Sequence, residues 1–187
     1  QSRLVGEHNV SNLLAAIGVA LHEGLTLDQV RAAVGAVSNV PGRFERVEAG
    51  QDFTVVVDYA HTDDALENVL KTLRELKPRR LIAVFGCGGN RDATKRPLMG
   101  AVTSRLAHHT LVTSDNPRKE DPAAIIRDIV AGLEGATNYE VVVDREQAIA
   151  RAIGMAQAGD IVLIAGKGHE NYQEFAHTIV PFDDREV

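Results

Sequence analysis

Four short segments of this chain collect residue types that bind and orient charged small molecules. They are Asp58-Tyr59-Ala60-His61-Thr62, Gly86-Cys87-Gly88-Gly89-Asn90-Arg91-Asp92, Ser114-Asp115-Asn116-Pro117-Arg118 and Gly166-Lys167-Gly168-His169-Glu170. Together they offer Arg91, Arg118 and Lys167 as cations and Asp58, Asp115 and Glu170 as anions. Guanidinium forks pair with carboxylates and carboxylates with ammonium groups, so such a set suits a zwitterion. Singly, each segment has a plainer reading. The first glycine cluster has Arg91 where a dinucleotide fingerprint needs its third glycine, and Gly166-Lys167-Gly168 lacks the flanking residues of a Walker loop. No Walker loop occurs elsewhere in the chain. Asp115-Asn116-Pro117-Arg118 also reads as an Asx-Pro turn before a helix. His61 and His169 read equally as structural, and no Cys/His spacing suggests a metal site. His108 and His109 fit a helix end, and Cys87 reads as a small packed residue.

The elements that must carry these segments alternate between strand and helix. Phe44 to Ala49 and Phe53 to Val57 flank Gly50-Gln51-Asp52 as a hairpin. Helices are expected over 64–76, 97–106, 122–130 and 146–158, and strands over 81–85, 110–113, 141–143 and 161–165. Short β-branched runs separated by helices predict an α/β fold, a mostly parallel sheet with helices on both faces. All four polar segments then fall at the carboxyl ends of strands, where open α/β sheets bind ligands. The turns 77–80 and 157–160 at the opposite ends read as solvated. The first forty residues read as helical, with Asn9 capping a helix that ends at Gly24 and Thr26 and Gln29 at capping-box spacing for another. Pro41-Gly42 marks a domain boundary.

The formal charge of −6 and the absence of a basic stripe argue against a nucleic-acid partner. No apolar run approaches membrane-spanning length. One cysteine fits a reducing, cytoplasmic setting. Neither Gln1-Ser2-Arg3 nor Arg185-Glu186-Val187 looks like a natural terminus, so an excerpt of a longer chain is expected.

Read in order, these segments resemble the Mur ligase family of ATP-dependent amide-forming ligases. The likeness includes Gly6-Glu7-His8-Asn9-Val10-Ser11-Asn12 with Leu14-Ala15-Ala16, Pro41-Gly42-Arg43-Phe44-Glu45 and Lys95-Arg96-Pro97-Leu98-Met99, and so spans nearly the whole chain. It implies a parent of three domains: an amino-terminal one for the UDP-sugar, a central one with the Walker loop and magnesium ligands, and a Rossmann-like carboxyl-terminal one for the incoming amino acid. Residues 1–40 are then the closing helices of the central domain and residues 41–187 the amino-acid-binding domain. By position, the resemblance assigns Asn9 and Asn12 to adenine and Arg43 and Asp58 to the phosphates and ribose of ATP. It assigns Arg91, Asp115, Asn116, Pro117, Arg118, Gly166 and Glu170 to the amino acid, and neither a catalytic residue nor a metal ligand to this chain.

Asp115 to Arg118 is similar to the family's recognition motif for meso-diaminopimelate, and lysine-adding relatives carry another residue where Arg118 stands. The implied reaction joins meso-diaminopimelate to UDP-N-acetylmuramoyl-L-alanyl-D-glutamate in peptidoglycan synthesis, through an acyl phosphate, with ATP and Mg2+. These residues alone are expected to be inactive. The alternatives are a lysine-adding ligase, a folylpolyglutamate synthetase, which the Asp58 loop argues against, and a non-catalytic Rossmann-like binding module. Two residues depart from the pattern: Asp63 replaces proline, and Asn90 stands where aspartate is common.

Overall fold

The computed structural model describes residue 4, residues 6–37 and residues 39–187. Helix α1 (Glu7–His22) begins before the expected Asn9 cap, with Gly6 at the N-cap and no side-chain bond there. The Asn9 N–H already donates to Gly6 O at 3.0 Å, so Asn9 belongs to the first turn and its side chain is buried. Helix α2 (Leu27–Ala36) starts as its sequence dictates. Gln29 N–H donates to Thr26 Oγ1 and Thr26 N–H to Gln29 Oε1. The apolar stripe of α1 finds little cover among the described residues: Val10 is 57% and Leu14 64% exposed.

Strands β1 (Glu45–Val47) and β2 (Thr54–Asp58) form the expected hairpin. The chain continues through α3 (Asp63–Glu75), β3 (Leu81–Phe85), α4 (Lys95–Leu106), β4 (His109–Val112), α5 (Pro122–Val130), β5 (Tyr139–Val141), α6 (Arg145–Met155) and β6 (Ile161–Ala165). The sheet order is β1-β2-β6-β3-β4-β5, parallel except for β1. From β2 to β5 the chain steps across the sheet in one direction; from β5 to β6 it steps back. Right-handed crossovers therefore put α3, α4 and α5 on one face and α6 on the other. The burial pattern follows: Leu81, Ala83 and Phe85 pack with α3, α4 and α5, and Ile82 and Val84 with α6. Both faces are covered, so β3 and β6 are buried along their whole length. Leu66, Leu70 and Leu73 of α3 are wholly buried, each contributing ~1.5–3 kcal/mol.

Other features also differ from expectation, among them the end of α6, which stops at Met155 and not at residue 158. Strand β5 lies two residues early, because its ladder with β4 pairs Thr110 with Tyr139 and Val112 with Val141. Asp160 is not in a solvated turn: it is buried, paired with Arg80, and accepts the Gln157 N–H at 2.9 Å. Burial pushes its carboxyl up, but the Arg80 and Gln157 bonds outweigh this and hold it below the usual range. A second small sheet, β7 (Tyr172–Glu174) with β8 (Ile179–Pro181), follows β6 and was not foreseen. No helix among the described residues is long and apolar enough to cross a membrane.

Candidate functional site

The carboxyl ends of β2, β3, β4 and β6 converge on one cleft of about 510 Å³. Arg91, Asp115, Asn116, Arg118, Gly166 and Glu170 all line it, together with Tyr59 and Tyr172. Asp115 and Asn116 are buried at the exit of β4, and Arg91 is exposed at the rim. The Asp115 carboxylate accepts the Asn116 N–H at 2.6 Å. Gly166 must be glycine: its φ is 116°, and a Cβ there would lie 2.7 Å from Asp115 Oδ2. Pro117 belongs to the same turn, its carbonyl accepting the Glu120 N–H at 3.0 Å.

Lys167 does not line the cleft. It is fully buried beneath it, with Nζ 3.0 Å from Asn116 Oδ1 and 3.3 Å from Glu170 Oε2. Asn116 Nδ2 donates to the same Glu170 oxygen at 2.8 Å. A buried ammonium thus fixes the direction of one amide and one carboxylate at the floor of the cleft. Glu170, followed by partial burial, pushes up the Tyr172 phenol, which stays protonated at neutral pH.

The glycine loop after β3 is clamped by Arg96, a buried residue of α4. Its guanidinium bonds Glu120 and Asp128, each at 2.8 Å. Glu120 in turn accepts the Asn90 N–H, and that bond leads in holding its carboxyl below the usual range. Asn90 has φ 53°, a left-handed conformation that asparagine tolerates, and its Oδ1 accepts the Lys119 N–H at 3.0 Å. The departure at Asn90 is thereby accommodated. Cys87 lies against Met99, and burial pushes its thiol up to about 12.

A second cavity of about 370 Å³ lies at the carboxyl end of β2, where Asp58 lines it. Asn9, Asn12, Arg43 and Asp58 line it together, with Asn68 of α3. Asp58 is buried and accepts the N–H groups of Phe44 at 2.7 Å and Ala60 at 2.8 Å. Arg43 lies over the Tyr59 ring, 4.5 Å from its centroid. The rings of His61 and His169 stand 4.5 and 5.3 Å from the same ring, which lines the larger cleft.

Residues 42–168 match the sequence profile described as Mur ligase, glutamate ligase domain. The chain belongs to the Mur ligase family. Two relatives, from Syntrophomonas wolfei and Geobacillus kaustophilus, are named UDP-N-acetylmuramoyl-L-alanyl-D-glutamate--2,6-diaminopimelate ligase. Each is 53% identical, the alignment covering 99% and 100% of this chain but 38% of theirs. A solved structure of a ligase of that name aligns over 98% of this chain and 38% of its own, with 46% identity and TM-score 0.74. A folylpolyglutamate synthase from Mycobacterium tuberculosis, complexed with ADP and AMPPCP, aligns over 87% of this chain and 38% of its own, with 26% identity and TM-score 0.66.

The sequence left part of this Mur ligase domain's site unread. Arg145 is fully buried, its guanidinium bonded twice to Asp184 at 2.7 Å. It also donates to Ser114 O at 3.3 Å and Ala165 O at 3.1 Å, tying together the strand ends that carry Asp115 and Gly166. Burial opposes the charge of Arg145, and Asp184 outweighs it. Arginine and aspartate 39 residues apart give no local signal. The capping aspartate at position 144 does predict the helix start just ahead of Arg145.

Proposed function

We propose that this chain is the carboxyl-terminal part of a ligase that adds meso-diaminopimelate to UDP-N-acetylmuramoyl-L-alanyl-D-glutamate in the cytoplasm, for peptidoglycan synthesis. The carrying observation is that Arg91, Asp115, Asn116, Arg118 and Glu170 line one cleft, offering charges of both signs. Diaminopimelate differs from lysine by an additional carboxylate, for which a forked arginine is the natural partner. Lysine lacks that carboxylate and forgoes a charge-assisted bond to Arg118, a difference of roughly 1.5–3 kcal/mol. The names of the two 53% identical relatives support the same reading.

The cavity at Asn9, Asn12, Arg43 and Asp58 is assigned to ATP, with the amides toward adenine and Arg43 toward the phosphates. Asp58 of this cavity and Tyr59 of the larger cleft are consecutive in the chain, which supports this. ATP transfers its terminal phosphoryl group to the muramoyl-dipeptide carboxylate, releasing ADP. The amine attacks that carbonyl, phosphate departs with the C–O electron pair, and the amine loses a proton. This domain's share is to hold the amine in place, a proximity effect. The magnesium ion that would neutralise the phosphates belongs with the remainder of the parent chain. Among the described residues no group of three or more His, Cys, Asp or Glu is placed to bind a metal. Residues 1–40 are assigned to the central domain and 41–187 to the amino-acid domain, in keeping with a family match that begins at residue 42.

The test is steady-state kinetics of the full-length ligase with diaminopimelate and with lysine, before and after Arg118→Ala. Wild type should favour diaminopimelate, and the variant should lose ~30-fold in its kcat/KM with little change in the KM for ATP. Equal loss for both substrates would make Arg118 structural, and wild-type preference for lysine would overturn the reading.

A further inference from the structure

We propose that Glu174, on the unforeseen strand β7, is a positioning residue that sets amino-acid selectivity by holding the Arg118 guanidinium toward the cleft. The inference rests on the reading of that cleft as the diaminopimelate site. Glu174 meets the recognition turn at three points. Its Oε2 lies 2.9 Å from Arg118 Nε. Its backbone carbonyl accepts the Arg118 N–H at 3.0 Å. Its own N–H donates to Asn116 Oδ1 at 2.9 Å.

Arg118 needs such support. Its φ is 51°, a left-handed conformation unfavourable for any residue with a Cβ, and it persists only where neighbours over-determine it. Glu174 occupies the Nε edge of the fork, and Nη1 donates to Gly89 O at 3.0 Å. Two fixed points orient the guanidinium plane. Nη2 has no protein partner among the described residues, and Arg118 lines the cleft.

The exposure of the pair argues for positioning over stability. The side chains are 19% and 34% exposed, and ion pairs partly open to solvent contribute little to folding. A long side chain fixed before the ligand arrives, however, has less rotamer freedom left to lose on binding. Glu174 thus raises affinity for a distal carboxylate although it carries the same sign of charge.

The experiment uses the full-length ligase as wild type, Glu174→Gln, Arg118→Ala and the double variant. Glu174→Gln keeps shape and an acceptor oxygen while removing the charge. It should raise the KM for diaminopimelate about tenfold, leave kcat and the KM for ATP within about twofold, and spare kcat/KM for lysine. In the Arg118→Ala background the same change should have no further effect. An unchanged or lowered KM for diaminopimelate, or an undiminished effect without Arg118, would overturn the proposal. If Glu174→Gln does not fold, Glu174→Asp, which withdraws the carboxylate from Nε, must raise the same KM or the proposal fails. Wild-type preference for lysine would sink the cleft assignment along with it. Wild-type preference for diaminopimelate, with no effect at position 174, would sink Glu174 alone.

Discussion

Charge alone does not say which side chains touch a ligand. Lys167 and Arg118 are both cationic and close in space, yet Lys167 is sealed beneath the cleft while Arg118 lines it. The loops that hold them were legible in the sequence, because glycine, Asx-Pro and charged residues cluster after β-branched runs. Which residue is buried was not, because burial depends on strands brought together from far along the chain. Cys87 illustrates a residue whose environment could be anticipated. It lines the cleft yet is only 3% exposed, and its thiol is raised from an ordinary 9.0 to about 12. Native protein at pH 8 should therefore resist a maleimide or disulfide reagent, and denatured protein should react at once, as thiol counting will show. Because the folded thiol holds its proton more tightly, its contribution to stability is complete below pH 9 and is lost as pH rises from 9 toward 12. Labelling of folded protein at the rate of a free thiol would contradict the burial.

At the scale of elements, β3, α5 and β6 follow their sequence signals residue for residue, while β7 and β8 escape them. Three-residue strands reading Tyr172-Gln173-Glu174 and Ile179-Val180-Pro181 have neither the length nor the alternation to stand out; β7 is bonded to the Asp115–Arg118 turn, and β8 pairs with β7. The approach of two loops elsewhere is equally silent in sequence. Gly42 has φ 67°, and a Cβ there would fall 2.1 Å from His169 N and 2.4 Å from Gly168 C. Gly50, with φ 86°, faces open space. Alanine at Gly50 should cost ~1–2 kcal/mol from backbone conformation alone. Alanine at Gly42 adds overpacking against backbone, for roughly 2–5 kcal/mol in total. Urea denaturation of the two variants compares these costs; equal losses would mean the loops separate freely.

At the scale of the whole molecule, a buried ion pair ties together the strand ends beside the cleft. Arg145 and Asp184 lie at opposite ends of the α6–β8 region and are fully enclosed. Removing one partner strands a charge in the interior, so Asp184→Ala should destabilise by about 3–5 kcal/mol. Arg145→Met with Asp184→Leu should cost less than either single change, since no uncompensated charge remains. Thermal melting of Asp184→Ala, of Arg145→Met and Asp184→Leu singly, and of the double variant provides the measure, and a double variant worse than both its singles would count against the account. The α/β class, the parallel sheet and the convergence of four loops were all readable from periodicity. This tether was not, because its charges are unremarkable until the fold encloses them.

Strand β6 sits between β2 and β3 although it is the last of the six to leave the ribosome. Without residues 161–165 the sheet divides into a hairpin, β1–β2, and a three-stranded half, β3–β4–β5, each with an unpaired inner edge. Pairing across such sequence separations is slow, and open edges invite wrong partners. The same insertion that builds the cleft therefore makes its assembly a late event, with Gly166 and Glu170 reaching their places only as the two halves are joined.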